Sequence, residues 1–422
     1  MPNFSIALTG LQADSTALNV IGNNLSNLNT TAFKGQTTTF EDLFYQQLGV
    51  SGSGEDIQAG AGVKVAGTSS DFSQGSLTTT TNSTDMALNG DGFFVAQNGA
   101  SNELTRDGNF QLSNTGVLQT TDGLPVMGFA AANGVVSSTG NLTPISLPIG
   151  GNTAAYATQN FSIDGNLDAT SAVGGQFTTS VQMFDSLGET HTATVTFTKA
   201  SATNWNYAIT LPSGDATGTP VNNTGTLIFN SSGVLTSTAT SAATPVVTTP
   251  AVNLAGIQFP GLTDGAAPLT VDWNLFSSTT GLPTVAQSAS ASNATASSQD
   301  GYASGTYQSF TVDTKGLVSA TFSNGHTQVM GQLAIASVAN EGGLTKIGAN
   351  NYITSAASGA ASFEAAGVGT RGSIQDDALE GSNVDISTEF SELIIAQRAF
   401  QANSKTVTTF DSVTEDAINM IR

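Results

Sequence analysis

The 422-residue chain is 39% hydrophobic but only 10% charged, with 31 acidic residues against 10 basic ones and a net charge of −21. That length holds two or three domains with real cores, yet the charged fraction lies far below the roughly 25% of ordinary soluble proteins. The bases never cluster, Lys199 standing alone between Arg106 and Lys315, which argues against a phosphate-backbone partner, and the lack of cysteine excludes disulfides, thiolate metal sites and Cys nucleophiles.

At the N-terminus Phe4, Leu11, Leu18 and Leu25 recur every seven residues, with Ala7, Ile21 and Leu28 three residues further on. This pattern predicts a helix over residues 1–29, about 35–40 Å long, capped by Asn3 or Ser5 and fading in the Asn-rich run 23–29. Asp14 breaks the apolar stripe and no basic region precedes it, so the first 22 residues do not read as a secretory signal. No apolar run approaches the ~20 residues of a membrane span. The missing cysteines fit a chain exported unfolded, or one living outside the cell without oxidation; chance loss explains them equally well.

Residues 33–70 mix Phe33, Phe40, Leu43, Phe44 and Tyr45 with the flexible run Ser51-Gly52-Ser53-Gly54 and read as an extended linker, alternation starting at Val63-Lys64-Val65. Over 71–149, Asn-Gly and Asp-Gly turns at Asn89-Gly90-Asp91-Gly92, Asp107-Gly108 and Asp122-Gly123 separate short apolar pieces, the pattern of hairpins. Residues 150–299 form a second β-rich block, with alternation at 193–197, 205–209 and 269–273; Thr236–Thr249 reads as a surface loop and Ser288–Ser298 as a closing linker. Short strands and Gly turns like those of 71–149 return over 300–364. The economical organisation is therefore one β domain made of 71–149 plus 300–364, with a second inserted at 150–299. Residues 365–384 read as another linker.

The last segment carries the second seven-residue repeat: Ile386, Leu393, Phe400, Val407 and Ile421, with Ala396, Phe410 and Ala417 three residues on. Asp385 is the expected cap, and the helix spans on the order of 50 Å. The fold class is therefore mainly β with long terminal α-helices that form a coiled-coil-like pair, 1–32 with 385–422. A helix with one apolar stripe must bury it. Asp14, Asn403 and Thr414 occupy seam positions, where polar residues fix register at some cost in stability. The polar faces are poor in Lys and Arg, which argues against an anionic membrane.

Candidate chemistry is sparse. The two histidines, His191 and His326, read as surface residues, and no Glu-x-x-His or His-Glu-x-x-His spacing supports zinc. Asp91, Asp107 and Asp122 each precede glycine singly, which fits hairpin turns rather than a calcium loop. Asp185 and Glu189 flank a Ser-Leu-Gly turn, and no Gly-x-Ser-x-Gly elbow or nucleotide loop is present. The sequence thus assigns no catalytic, cofactor or metal residue.

Both ends resemble the bacterial flagellar rod and hook axial protein family. The N-terminal signature is the run from Asn23 and Asn24 through Asn27 and Thr30 to Phe33 and Lys34, with Ser26 where the family more often has Ala. The C-terminal one comprises Gly381-Ser382-Asn383-Val384-Asp385 and the run Ala396 to Lys405, including Gln397, Arg398 and Asn403. Residues 89–94 and 105–110 look like the family's shared β domain. An insertion at 150–299 is similar in position and β character to that of hook members, whereas rod members are shorter.

The resemblance implies a structural subunit that passes unfolded through the flagellar type III export apparatus. It also implies a helical homopolymer with terminal helices lining the tube and β domains outside. In a hook member this tube is a flexible universal joint carrying torque from rod to filament, with the distal rod protein, the hook cap and the hook-filament junction protein as neighbours and no cofactor. The alternatives are a distal rod protein, or a secreted β-rich adhesin or glycan-active enzyme with helical oligomerisation ends. The expected polymerisation residues are Phe4, Leu11, Leu18, Ile21, Leu25, Leu28, Ile386, Leu393, Phe400, Val407, Phe410 and Ile421.

Overall fold

The computed structural model describes residues 4–44, 46–50, 56–132, 134–137, 140–240, 247–248, 250 and 252–420. Its elements are predominantly β-strands bounded by one helix near each end, α1 (Phe4–Ser26) and α2 (Ile386–Met420). No described helix is long and apolar enough to cross a membrane. The chain divides into two compact units: residues 1–149, 309–320 and 328–422 make the first, and 150–308 with 321–327 the second.

In the first unit, the strand Gln36–Asp42 pairs antiparallel with Val63–Ser70, Phe40 facing Val65. Residues 36–42 and 63–70 therefore form a β-ribbon where an extended linker was expected: alternation on both strands gives the backbone a partner that low apolar content alone does not reveal. The Ser51–Gly54 run lies outside the described residues. The ribbon rests on α1, where Val63 N donates to Thr9 Oγ1 (3.3 Å). Gly62 makes this approach possible; its φ is +110° and a Cβ there would collide with Thr9.

The stretch 365–384 is likewise strand-forming. Ser373–Asp376 pairs with Met86–Asn89, and Ala378–Glu380 with Leu77–Thr79, all antiparallel. The Gly-rich composition describes only its first half. Around these strands, Phe93–Asn98 and Ser101–Thr105 form a hairpin, and one core unites Phe93, Val95, Leu104, Met127, Phe129, Ala334, Ala336 and Tyr352. Phe93 and Tyr352 pack as tilted rings 5.8 Å apart.

The second unit is a β-sandwich. One sheet is an antiparallel meander of six strands from Gln176–Phe184 to Val247–Thr248; the other surrounds the strand Asn160–Asp168. Inward-facing residues of both sheets share one core, in which Trp273 stacks on Phe161 (5.6 Å) and meets Tyr207 edge-on (5.4 Å). Two low-complexity stretches become strands here. Leu235–Thr240 and Val247–Thr248 pair where a loop was expected, with 241–246 and 249 outside the described residues. Asn293–Gln299, expected as linker, pairs along Asn160–Asp168. Its small hydroxyl and methyl side chains do not oppose an extended backbone, and the sheet supplies the hydrogen bonds.

Candidate assembly interface

Helix α1 begins at Phe4 and ends at Ser26, where the Asn-rich run turns the chain: Asn27 Nδ2 donates to Asn23 O (2.9 Å) and Thr30 Oγ1 donates to Asn27 Oδ1 (3.0 Å). Helix α2 starts under Asp385, whose Oδ1 accepts Thr388 N at 2.8 Å. These hydrogen bonds, led by that from Thr388, hold the Asp385 carboxyl below its ordinary pKa. The N-terminal caps expected at Asn3 and Ser5 divide: Asn3 lies outside the described residues, and Ser5 is within the helix.

The two helices lie alongside each other in antiparallel register, fixed by polar pairs at both ends. Asn403 Nδ2 donates to Asp14 Oδ2 (2.8 Å), and Asn24 Nδ2 donates to Glu389 Oε1 (2.8 Å). Gly10 makes room for the first pair, since a Cβ there would stand 2.8 Å from Asn403 Nδ2. Asn24 is 2% exposed and also pairs with the Gln36 backbone, accepting from N (3.0 Å) and donating to O (2.8 Å). One signature asparagine thus ties α1, the ribbon and α2 together. Burial pushes the Glu389 carboxyl up in pKa, and the bond from Asn24 opposes that shift. Thr414 does not join this pairing; its hydroxyl donates back to Phe410 O of its own helix (2.7 Å).

Within α1 the buried residues are Ala7, Gly10, Ala13, Ile21 and Asn24, whereas Leu11, Leu18 and Leu25 are only half-buried, as is Leu28 in the turn beyond it. In α2, Ala396 is buried, and Leu393, Val407 and Phe410 are half-buried. Ile386 and Phe400 are exposed, as are Phe390, Ile394, Val413 and Ile418, and Ile395 is 68% exposed. Within the described residues α1 packs against both α2 and the ribbon, whereas much of the apolar surface of α2 is left uncovered. Ile421 lies outside the described residues, and the side chains of Phe4 and Ala417 are not described. A groove of about 330 Å³ runs between α1, the ribbon and α2, lined by Ala17, Val20, Phe40, Ile395 and Ala399 among others.

The two signatures meet at a buried ion cluster. Lys34 Nζ bonds Glu380 Oε1 and Ser73 O, each at 2.7 Å, with both charged side chains fully buried. Gly75 N also donates to Glu380 Oε1 (2.8 Å), while Arg106 Nη1 approaches Glu380 Oε2 at 3.6 Å and donates to Gly90 O (2.8 Å). Burial lowers the Lys34 pKa and the Glu380 carboxylate opposes it. Asn383 takes Gly35 N on Oδ1 (2.8 Å) and donates from Nδ2 to Asp71 O (2.9 Å). Phe33 is buried beneath Lys346, whose ammonium lies 5.0 Å from the ring centre. Gln397 and Arg398 face solvent.

Sequence reasoning singled out Lys34 and Asn383 but not Glu380, which lies just outside the C-terminal signature. The one available signal was Lys34 itself, an isolated base in a chain with only ten. Elsewhere, Asp107 is a turn residue accepting Asn109 N (3.0 Å), and His326 stacks half-buried on Tyr302 at 4.0 Å. His191 departs from expectation: it is 4% exposed, because its strand turns it toward three aspartates instead of solvent.

Comparison with known proteins gives consistent matches along the chain. Residues 4–34 match the family model "Flagella basal body rod protein". Residues 157–302 match "Flagellar basal body protein FlaE D2 domain", and 375–420 "Flagellar basal body rod FlgEFG protein C-terminal". Flagellar hook protein FlgE of Treponema pallidum (strain Nichols) is 32% identical, the alignment covering 98% of each chain. FlgE of Escherichia coli (strain K12) is 34% identical over 99% of each. FlgE of Salmonella typhimurium is 33% identical over 99% of this chain and 100% of its own. The crystal structure of Helicobacter pylori flagellar hook protein FlgE2 shares the fold, with a TM-score of 0.50 at 15% identity over 72% of this chain and 100% of that one.

Proposed function

The chain belongs to the flagellar hook protein family, and from that premise we propose that it polymerises through α1 and α2 into the tube of the bacterial flagellar hook. The observation that carries this reading is the unfinished apolar face of the helix pair. Asp14–Asn403 and Asn24–Glu389 fix how the helices lie together, yet Ile386, Phe390, Ile394, Ile395 and Phe400 remain exposed. Large apolar side chains left exposed at this density along one helix mark an interaction surface. When the complementary surface lies elsewhere on an identical chain, the contact is heterologous, and where its rotation does not close into a ring it generates a helical polymer.

Assembly then supplies the burial that the monomer lacks. Each apolar side chain covered by a neighbour contributes at about 25 cal/mol per Å² of area removed from water, so association and full ordering of the helices are linked. The groove lined by Val20, Phe40 and Ile395 receives an apolar side chain of the neighbouring copy. The buried Lys34–Glu380–Arg106 cluster anchors α1 and α2 to the β-strands of the first unit, so force applied to the helices reaches that unit through a rigid junction. In this reading the helices form a coiled-coil-like inner wall of the tube, and the second unit is an insertion within the chain of the first.

The subunit acts structurally, as a universal joint carrying torque, and not as an enzyme. Its proposed neighbours are the distal rod protein, the hook cap and the hook-filament junction protein. It reaches the flagellum outside the cell through the type III export apparatus. Deleting the gene is expected to leave cells with neither hooks nor filaments by electron microscopy; a deletion strain with normal hooks would refute the proposal.

A further inference from the structure

In the second unit, three carboxylates converge on one imidazole. Asp185 ends the strand Gln176–Phe184, and His191 lies just beyond the following turn, in the strand Thr190–Lys199. Asp215 and Asp264 come from two loops joined by the Ala216–Leu262 bridge and by Thr263 N donating to Asp215 O (3.0 Å). Backbone groups hold one oxygen of two of these carboxylates. Asp185 Oδ1 accepts Leu187 N (2.8 Å) and Glu189 N (2.9 Å), and Asp264 Oδ1 accepts Ala266 N (3.0 Å). The remaining oxygens point at the ring: Asp215 Oδ2 is 3.0 Å from Nδ1, while Asp185 Oδ2 and Asp264 Oδ2 lie 3.4 and 3.9 Å from Nε2.

These distances are uneven in an informative way. The Nδ1 contact is a hydrogen bond, with the ring N–H donating to Asp215. The two contacts at Nε2 exceed the roughly 2.7–2.9 Å of a charge-assisted hydrogen bond, although His191 and Asp185 are both more than nine-tenths buried. Two ligands on a tetrahedral Zn²⁺, each at about 2.0–2.1 Å, stand roughly 3.3–3.4 Å apart. The Asp185, His191 and Asp264 ligand atoms all lie within 4.8 Å of one another, a grouping that can hold one metal ion once the more exposed Asp264 closes on it. A carboxylate on Nδ1 orients a metal-binding histidine and directs the Nε2 lone pair outward. Among the described residues, no Lys or Arg forms an ion pair with any of the three aspartates. Even a protonated imidazole leaves their charge in excess.

We propose that Asp185, His191 and Asp264 bind a divalent transition-metal ion, Zn²⁺ by preference, with Asp215 as the positioning residue and water completing the coordination. An imidazole among the ligands favours Zn²⁺ over Ca²⁺ or Mg²⁺, which take oxygen donors. The ion ties the turn at 185–189 to both loops and stiffens that end of the sandwich. The proposal is independent of the assembly function.

The test is titration of the purified, chelator-stripped full chain with ZnCl₂ by calorimetry, alongside melting followed by tryptophan fluorescence. Both tryptophans, Trp205 and Trp273, lie in this unit's core, so the signal reports on it alone. One Zn²⁺ per chain and an upward shift in the melting midpoint, reversed by EDTA, are expected, with CaCl₂ giving neither. Asp264→Asn, at the more exposed carboxylate, is expected to weaken Zn²⁺ binding at least about tenfold without lowering the metal-free midpoint. His326→Gln, which removes the only other imidazole, is expected to bind as the parent chain does. No binding at 100-fold molar excess of Zn²⁺ would overturn the site, as would unchanged binding by Asp264→Asn or lost binding by His326→Gln. Should Asp264→Asn fold poorly, the visible spectrum of the Co²⁺-loaded parent chain decides: a spectrum identical to that of His191→Gln rules the site out.

Discussion

The second unit and the terminal helices solve the same problem to different degrees. In the sandwich, both sheets close over Phe161, Trp205, Tyr207 and Trp273, and the large apolar side chains of that core are sealed within one chain. In the helices, α1 buries mainly small residues, Ala7, Gly10 and Ala13, while α2 leaves Phe390, Ile394 and Ile395 in solvent. Under the proposed assembly, the contrast marks where the chain is finished and where it waits for copies of itself. A closed β core can fold as an independent body, whereas a helix with half its apolar face open gains its remaining stability from packing against neighbours.

Mutations can separate the two regions from either side. The largest effect is expected from Leu393→Asp or Leu18→Asp, which places a charge in the half-buried seam. Tube assembly, followed by sedimentation and electron microscopy, is abolished, while near-ultraviolet circular dichroism of the β units is unchanged; normal tubes would dissociate the seam from assembly. Trp273→Ala does the reverse. It opens a cavity in the sandwich and costs about 4 kcal/mol of that unit's stability in urea titration. A loss confined to the helices would contradict the division. Lys34→Met leaves Glu380 as a buried charge facing Arg106 at 3.6 Å and costs about 3 kcal/mol in the first unit, with Trp fluorescence of the second unit unaltered.

Acid gives a smaller, local effect at α2. The folded pKa of Asp385 is depressed, so its contribution is present above the unfolded value and is lost as pH falls through the folded one. Amide exchange at Thr388 is therefore expected to accelerate as the pH drops below the ordinary carboxylate range, beyond the intrinsic change; Asp385→Asn removes that dependence. The smallest effect is expected at Tyr207. Burial pushes its hydroxyl to a pKa of about 12, and the hydroxyl has no hydrogen-bond partner among the described residues. Tyr207→Phe thus leaves the sandwich equally stable or slightly more so, and a marked loss in urea titration would reveal a partner.

Legibility in the sequence followed the same boundary. The seven-residue repeats placed both helices because the period of an apolar stripe is a local property, and Asp385 and the Asn-rich run marked their ends. The polar seam residues Asp14 and Asn403 were visible as breaks in that stripe, and they prove to be each other's partners. What stayed hidden depended on distant segments. Ser288–Ser298 alternates only small residues, Ser, Thr and Asn with Ala, too little apolar surface to mark a strand by itself, and pairing along Asn160–Asp168 makes a strand of residues 293–299. Glu380 is separated from Lys34 by more than 300 residues, so no spacing rule connects them. His191 lies in phase with Ala193, Val195 and Phe197 on the inward face of its strand, a sign of burial present in the alternation, whereas Asp215 and Asp264, which meet its ring, come from loops that no spacing rule connects to it.

The central claim, that the helices are completed by neighbouring copies and the sandwich is complete alone, is tested most directly by hydrogen exchange on monomer and assembled tube side by side. The account expects amides of α1 and α2 to exchange rapidly in the monomer and to gain strong protection in the tube, with amides of the Trp205 and Trp273 strands equally protected in both. Helices already as protected in the monomer as in the tube would contradict it.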